Sequence, residues 1–461
     1  MQASMRTRTL ALATLSLLNL FSVGAGVAVA DFTPGRKLAP RPPAVAERLV
    51  AATSGTIGAA DTAAARMPDG ATLTGRLNGV LGTTKTPIKA VVIDAATGRE
   101  LFAKDADSPA TPASTTKIVT TTAALASAGP SHRITTRAVR GDGDSVVLVG
   151  GGDPTLTVRP PAPDAGHPPY ASLTDLAAQT ATALKAQGLT RVRVDYDATA
   201  YQGPRTAYGW KPNYLPDGEV APVSALTVDE GRVAPGERAR VQDPPAAAAA
   251  QFATLLKRAG IAAVAGRPAR AAATAPKLGA VQSPPLSALI EHLLTESDND
   301  VAEAVARQVA ISRGAPGSFT GAAAAVRQVL AGLGVADGVE VNDGSGLSAA
   351  NRITPHALAR IAALASSPEH PELRSVITGM PVAGFSGTLS PPRYTTGQSL
   401  AGAGYVHAKT GTLAGVSTLA GITADADGRL LAFAFMAGDG TAPVDPSVLD
   451  RLAATVAACG C

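Results

Sequence analysis

The chain has 461 residues, of which 46% are hydrophobic but only 3% aromatic, so small aliphatic side chains must build its core. Its formal net charge is only +4 and no basic run accompanies it, so we expect no nucleic acid partner. Its two cysteines, Cys459 and Cys461, lie together at the end of the sequence, which excludes a disulfide framework as the basis of the fold.

The first thirty residues have the three parts of a secretory signal peptide. Arg6 and Arg8 precede an apolar stretch from Leu10 to Phe21, and Ala28-Val29-Ala30 matches an A-x-A cleavage site. We therefore expect residues 1–30 to be a cleaved signal peptide and the mature protein to act outside the cytoplasm. An uncleaved membrane anchor is the alternative.

A β-hairpin is predicted to begin the folded part of the chain. Residues 31–80, rich in Pro, Ala, Gly and Thr, are interpreted as an exposed leader. The β-branched run Ile88–Asp94 predicts a strand, and 99–103 predicts its antiparallel partner after a turn at 95–98.

The next segment, Pro112 to Leu125, predicts a buried helix, because a proline and small residues lead into an Ala/Thr/Val/Leu run. Ser114 and Lys117 are three residues apart and therefore share one face of that helix. A lysine whose pKa is lowered can accept the proton of a serine hydroxyl and make it nucleophilic. Alone, the pair is a weak signal, because Ser-x-x-Lys arises easily in a chain rich in Ala, Ser and Thr.

Composition changes between residues 157 and 284, where proline-rich junctions stand at both ends. The elements predicted there are a helix at 173–187, a strand at 192–196, a helix at 246–259 and a strand at 275–283. We interpret residues 157–284 as an inserted subdomain.

Two further motifs follow the insertion. Ser297-Asp298-Asn299 separates a helix predicted at 286–294 from one at 301–312, although these residue types are also ordinary helix caps. Lys409-Thr410-Gly411 lies on the first of three successive strands. We expect those strands to complete the sheet that the N-terminal hairpin begins.

The three motifs together point to acyl transfer by a serine. Ser-x-x-Lys, Ser-Asp-Asn and Lys-Thr-Gly, each present once and in this order, are the signature of penicillin-binding proteins and β-lactamases. Ser114 would attack a carbonyl and Lys117 would accept its proton. Lys409 would add positive charge, Ser297 would relay a proton to the leaving nitrogen, and Asn299 would bind the substrate backbone.

The residues beside Lys409 are the substrate-binding candidates. Gly411 lets a substrate strand lie close to the edge of the sheet. We expect the hydroxyls of Thr410 and Thr412 to bind a terminal carboxylate.

The chain resembles the D-alanyl-D-alanine carboxypeptidase/endopeptidase family of low-molecular-mass class C penicillin-binding proteins. Beyond the motifs, three stretches are similar to that family: 151–156, 221–226 and 343–348. The resemblance covers about Ile88 to Met436, and the interval from Ser114 to Ser297 is short for the family. It implies an α/β (α+β) fold, a transpeptidase/β-lactamase-like domain with an antiparallel sheet flanked by helices. Residues 81–156 and 285–461 would form this domain, with 157–284 inserted. It also implies an oxyanion hole made by the backbone N–H groups of Ser114 and Thr412.

The function implied is that of an exported, cell-wall-associated or secreted serine peptidase. It would cleave D-Ala-D-Ala bonds of peptidoglycan stem peptides, with cross-bridge bonds as a further substrate and β-lactam antibiotics as covalent inhibitors. A β-lactamase and an inactive peptidoglycan-binding scaffold are the alternatives. The Glu-x-x-Leu-Asn pattern of class A β-lactamases and the Gly-x-Ser-x-Gly elbow of Ser-His-Asp hydrolases are both absent. The His-Glu-x-x-His metal motif is absent as well, and we expect no metal or cofactor.

Overall fold

The computed structural model describes residues 65–160 and 168–460, so the predicted signal peptide lies outside the described residues. The longer helices are α1 (Gly70–Leu81), α2 (Thr116–Ala128), α3 (Leu173–Ala186), α4 (Pro244–Arg258), α5 (Leu286–Glu296), α6 (Asn299–Ser312), α7 (Phe319–Gly332), α8 (Pro355–Ser366), α9 (Arg374–Thr378) and α10 (Ser447–Ala457). The strands are β1 (Ile88–Asp94), β2 (Glu100–Lys104), β3 (Thr135–Arg140), β4 (Ser145–Val149), β5 (Arg191–Asp197), β6 (Ala262–Pro268), β7 (Lys277–Gln282), β8 (Val339–Glu340), β9 (Arg352–Ile353), β10 (Val406–Leu413), β11 (Val416–Ala424) and β12 (Leu430–Ala437). None of these helices in the described ranges combines the length and the apolar character needed to span a membrane.

The first sheet joins the two ends of the described chain. Its strand order is β10-β11-β12-β1-β2, and every pairing is antiparallel. β1 pairs with β12, with Val91 opposite Ala434, while β10 forms one edge and pairs with β11. The predicted joining of the N-terminal hairpin with the three C-terminal strands is confirmed, as is the mixed α/β fold.

The alternating side chains of β12 show how helices cover both faces of this sheet. Phe433 and Phe435 point to a core shared with α1 and α10. Ala432 and Ala434 point to the opposite core, which contains α2, α5, α6 and α8. The small side chains on the second face let several helices pack close to the sheet, and those helices carry the first two sequence motifs.

Helix α1 corrects the prediction that residues 31–80 form an exposed leader, which is wrong for residues 70–80. Leu73 and Leu77 stand one turn apart and are completely buried against the sheet. Asp69 caps the helix by accepting a hydrogen bond from the Thr72 N–H at 2.8 Å. The Gly, Thr and Ala residues around Leu73 and Leu77 give this segment the composition of a linker, so its short amphipathic pattern is difficult to recognise in the sequence.

The inserted subdomain begins earlier than predicted. A second sheet has the order β6-β5-β4-β3-β7 and its own core with α3 and α4, so residues 135–149 belong to it. The boundary at residue 157 is therefore wrong. A β-branched run specifies a strand but does not specify which sheet the strand joins, and that choice depends on distant partners.

We predict that Leu77→Ala lowers the free energy of unfolding by about 2–5 kcal/mol, the usual cost of emptying a fully buried leucine site. Urea unfolding followed by circular dichroism measures this. Asn78→Ala, at the adjacent exposed position of α1, is the matched control and should leave stability nearly unchanged. Equal stability of the two variants would show that α1 does not belong to the folded core.

Candidate active site

Ser114 lies in one 3₁₀ turn, Ala113–Thr115, that leads directly into α2. Ala113 has a positive φ of 48°, which sets the turn apart from the helix that follows. Gly346 presses against this turn so closely that a Cβ added to it would lie 1.9 Å from the Ala113 carbonyl oxygen. The predicted helix start is confirmed, and Ser114 is held on a turn fixed by its neighbours.

Lys117 is completely buried, and its Nζ has three uncharged acceptors. Nζ lies 3.0 Å from Ser114 Oγ, 2.7 Å from Asn299 Oδ1 and 2.8 Å from the Ser345 carbonyl oxygen. Burial lowers the pKa of Lys117 to about 8, although the more distant carboxylates of Asp343 and other residues oppose this effect. With this pKa about a tenth of Lys117 is neutral at pH 7, and the neutral amine can accept a proton from Ser114 across their contact.

The second motif forms helix caps and also contacts Lys117. Ser297 ends α5 in a left-handed conformation with φ 59°, and Asp298 caps α6 by accepting from the Val301 N–H at 2.9 Å. Asn299 begins α6 and, besides contacting Lys117, donates Nδ2 to the Glu219 carbonyl oxygen at 2.9 Å. The structure thus brings Asn299 to Lys117.

Lys409 is the second buried lysine of the site. Its Nζ donates to the Thr410 carbonyl oxygen at 2.9 Å. Burial, with the positive charges of Lys117 and Arg393, lowers the pKa of Lys409 well below its usual value. The hydroxyl of Thr410 lies 2.7 Å from that of Thr388.

Strand β10 runs directly beside the Ser114 turn. A Cβ added to Gly411 would lie 2.9 Å from the Ser114 nitrogen and 2.7 Å from the Pro112 carbonyl oxygen. Thr418, which is opposite Gly411 on β11, donates its hydroxyl to the same Pro112 oxygen at 2.7 Å. Thr412, the next residue of β10, is exposed. The first and third motifs are therefore brought together, and only a glycine fits at the contact.

Sequence analysis missed two groups that accept hydrogen bonds from Lys117 and Asn299. They are the backbone carbonyls of Ser345 and Glu219. The turn that contains Ser345 is held by Asp343, whose carboxylate accepts from the Gly346 N–H at 3.0 Å and the Ser348 N–H at 2.7 Å. Trp210 of the insertion donates its Nε1 to the same carboxylate at 2.8 Å. Residues 343–348 are similar in sequence to the carboxypeptidase/endopeptidase family, but this similarity does not indicate that one of them contacts Lys117.

A cavity of about 390 Å³ lies beside the second motif, and Ser297 lines it together with Asn299. Segments of the insertion supply charged groups of both signs to the same cavity. Its lining includes Glu219, Glu230, Arg232, Arg238 and Arg240.

Three cavity groups, Glu230, His292 and Asp298, lie close enough to share a metal ion, with one ligand atom each within 4.8 Å of the others. However, the Glu230 carboxylate is already paired with Arg232 at 2.7 Å, and Asp298 caps α6. These existing contacts argue for charge pairing rather than metal coordination.

Comparisons with known proteins identify relatives of this chain. A family profile described as the D-Ala-D-Ala carboxypeptidase 3 (S13) family matches residues 83–238 and 234–458. A carboxypeptidase of Mycobacterium tuberculosis is 37% identical over 92% of this chain and 89% of its own length. Carboxypeptidase DacB of Mycolicibacterium smegmatis is 36% identical over 80% of each chain. In fold, the chain is similar to penicillin-binding protein 4 of Haemophilus influenzae, with a TM-score of 0.65 at 20% identity, covering 84% of this chain and 98% of that one.

We predict that Gly411→Ala lowers kcat/KM on a D-Ala-D-Ala peptide by at least about tenfold, because the added methyl group displaces β10 from the Ser114 turn. Steady-state release of D-Ala measures the effect. Gly79→Ala is the control, since a Cβ there meets nothing within 4 Å. If both variants keep the parent rate, the close contact between β10 and Ser114 is not required.

Proposed function

The chain belongs to the D-Ala-D-Ala carboxypeptidase 3 (S13) family and is a serine-type D-Ala-D-Ala carboxypeptidase, and on that premise we propose that Ser114 is its nucleophile. One observation carries the proposal. The buried Lys117 amine lies 3.0 Å from the Ser114 hydroxyl and has only uncharged acceptors around it. This is the arrangement that an amine needs to act as a base.

In the proposed acylation, neutral Lys117 takes the Ser114 proton while Oγ bonds to the carbonyl carbon of the penultimate D-Ala. The resulting oxyanion receives hydrogen bonds from the backbone N–H groups of Ser114 and Thr412. Collapse of the tetrahedral intermediate breaks the C–N bond. The departing nitrogen receives the proton through Ser297, and the acyl group remains on Ser114. Water then attacks the ester carbonyl in place of the departed amine. Its proton passes through Ser297 to Lys117 and then to Ser114 Oγ as the ester bond breaks, which restores Ser114 and Lys117.

The strand β10 is proposed to hold the C-terminal end of the substrate. A carboxylate near Lys409 would favour the charged form of that lysine, which burial otherwise disfavours. The hydroxyls of Thr410 and Thr412 would add hydrogen bonds, and Gly411 would leave room for an extended substrate along the sheet edge. These roles suit a free D-Ala carboxylate.

We propose a second role for Asn299 besides binding the substrate backbone. Its Oδ1 faces Lys117 and its Nδ2 donates to Glu219, so the amide fixes the position of the base. The second hydrogen on Nδ2 is the one available to a substrate carbonyl.

We further propose that the enzyme is exported, acts on peptidoglycan stem peptides and is acylated by β-lactams. The three intact motifs and the predicted signal peptide support this. A structure of the Haemophilus influenzae protein is a complex with a β-lactam. A β-lactamase is disfavoured because the sequence lacks the glutamate pattern that serves deacylation in class A enzymes.

The nucleophile is tested with Ser114→Ala. We expect this variant to lose D-Ala release and covalent labelling by penicillin, since the attacking oxygen is gone, and to keep the parent unfolding curve. Intact-protein mass spectrometry after incubation with penicillin measures the label. In the parent, the adduct should last for minutes or longer, because the leaving nitrogen stays tethered and blocks water.

Two results would contradict this assignment. A penicilloyl mass on Ser114→Ala would place the nucleophile elsewhere. Sustained hydrolysis of penicillin, with no adduct surviving a rapid acid quench, would favour the β-lactamase.

The pH dependence tests Lys117 as the base. Because only the neutral amine accepts a proton, kcat/KM should rise with pH up to a bend near the Lys117 pKa of about 8 and fall roughly tenfold per pH unit below it. Asn299→Asp places a carboxylate at the 2.7 Å contact, which raises the pKa of Lys117 and should move the bend to higher pH.

Asn78→Asp adds the same charge on the exposed face of α1 and is the control for this experiment. Its bend should coincide with that of the parent. A bend that does not move in Asn299→Asp would show that Lys117 is not the group being titrated.

A further inference from the structure

Glu303 is a completely buried carboxylate that belongs to none of the three motifs. It lies on α6 four residues after Asn299, so the two side chains share one face of that helix. A buried ion of this kind needs several hydrogen bonds to offset its loss of hydration.

The contacts of Glu303 are all with donors. Oε1 accepts from the N–H groups of Gly344 at 3.1 Å and Ser345 at 2.9 Å, and Oε2 accepts from Arg307 Nη1 at 3.0 Å. Burial, together with the nearby Asp343, raises the pKa of Glu303 above its usual value, although Arg307 and the Ser345 contact oppose this effect. Since each contact donates a hydrogen, the carboxylate satisfies this environment in its ionised form.

Arg307 is buried as well, which fixes the carboxylate from the other side. Its guanidinium carbon lies 3.8 Å from the centre of the Phe319 ring and 5.7 Å from that of Tyr201. The Glu303–Arg307 pair is therefore a rigid support within the core rather than a mobile surface pair.

The peptide backbone held by Glu303 is the backbone that holds Lys117. Ser345 donates its N–H to Glu303 and accepts from Lys117 Nζ with its carbonyl oxygen at 2.8 Å. The preceding Gly344 carbonyl oxygen accepts from the Thr120 hydroxyl on α2 at 2.8 Å. A displacement of this turn would therefore reach Lys117 directly.

We infer that Glu303 is a positioning residue for the peptidase reaction: its carboxylate fixes the 344–345 backbone, and that backbone holds Lys117 beside Ser114. The inference rests on the proposed role of Lys117 as the base. It gives Glu303 two separable effects. Its hydrogen bonds set the geometry of the turn, and its negative charge favours the charged form of Lys117.

Other charged groups act on the same two side chains. Those that face Glu303 or Lys117 are Asp298, Asp300, Arg307, Asp343 and Lys409, together with the ionisable Tyr201. Each of them is unchanged in the variants below, so differences between variants report on Glu303 alone.

The test compares Glu303→Gln, Glu303→Asp and the parent by the pH profile of kcat/KM on a D-Ala-D-Ala peptide. Glu303→Gln should lower the plateau by at least about tenfold, as expected for loss of a charge-assisted hydrogen bond, and should move the acid-side bend to lower pH. Glu303→Asp keeps the charge but shortens the reach, so its plateau should fall while its bend stays near that of the parent.

Asp94→Asn is the matched control, because Asp94 is equally buried and pairs with Arg429 away from the three motifs. It should lower the unfolding temperature without moving the bend. A Glu303→Gln profile with an unmoved bend, or an equal shift of the bend in Glu303→Asp, would overturn the inference. If Glu303→Gln does not fold, the plateau of Glu303→Asp decides the matter, because a plateau equal to that of the parent would overturn the inference.

Lys117→Arg separates this inference from the proposed function. Arginine stays charged, so the variant should be inactive. Retained activity would refute Lys117 as the base and the role of Glu303 with it. An inactive Lys117→Arg with an unmoved Glu303→Gln bend would refute only the role of Glu303.

Discussion

The burial of one amine among uncharged acceptors is the constraint on which this site depends. An ammonium group removed from water loses its hydration, and the three groups that contact Lys117 Nζ in its place are all uncharged. A carboxylate in direct contact would stabilise the charged form and remove its basicity. Asp343 and Glu303 instead bind the backbone next to Lys117, so negative charge is held near the amine without pairing with it.

The unusual composition of the chain is what allows such close assembly. Glycines stand where backbone segments meet around Ser114: Gly346 lies against Ala113, and Gly411 lies against the Ser114 nitrogen. A Cβ added to Gly344 would lie 2.6 Å from the Cβ of Ala306 on α6, so small residues on both sides let the turn reach Glu303. The low aromatic content is therefore consistent with helices and turns packed at short distances rather than with a weak core.

Sequence predicted the parts of the site that depend on local spacing. Ser114 and Lys117 meet because they are three residues apart at a helix start, and Asn299 is oriented by the same cap chemistry that made its motif ambiguous. The Ser345 carbonyl could not be predicted, because a backbone oxygen has no residue-type signal and its position depends on tertiary contacts. The same limitation explains the misplaced insertion boundary, since the sheet to which β3 and β4 belong is decided by their pairing with the distant strands β7 and β5.

The insertion contacts the candidate active site as well as forming a separate sheet. Two residues in the segment of the insertion between β5 and α4 make these contacts. The Glu219 carbonyl oxygen accepts a hydrogen bond from Asn299, and Trp210 donates one to Asp343. Asn299 contacts Lys117 directly, whereas Asp343 acts through the turn that presents the Ser345 carbonyl. Residues of the insertion therefore help to hold the groups that surround Lys117, although Lys117 itself lies in the other part of the fold.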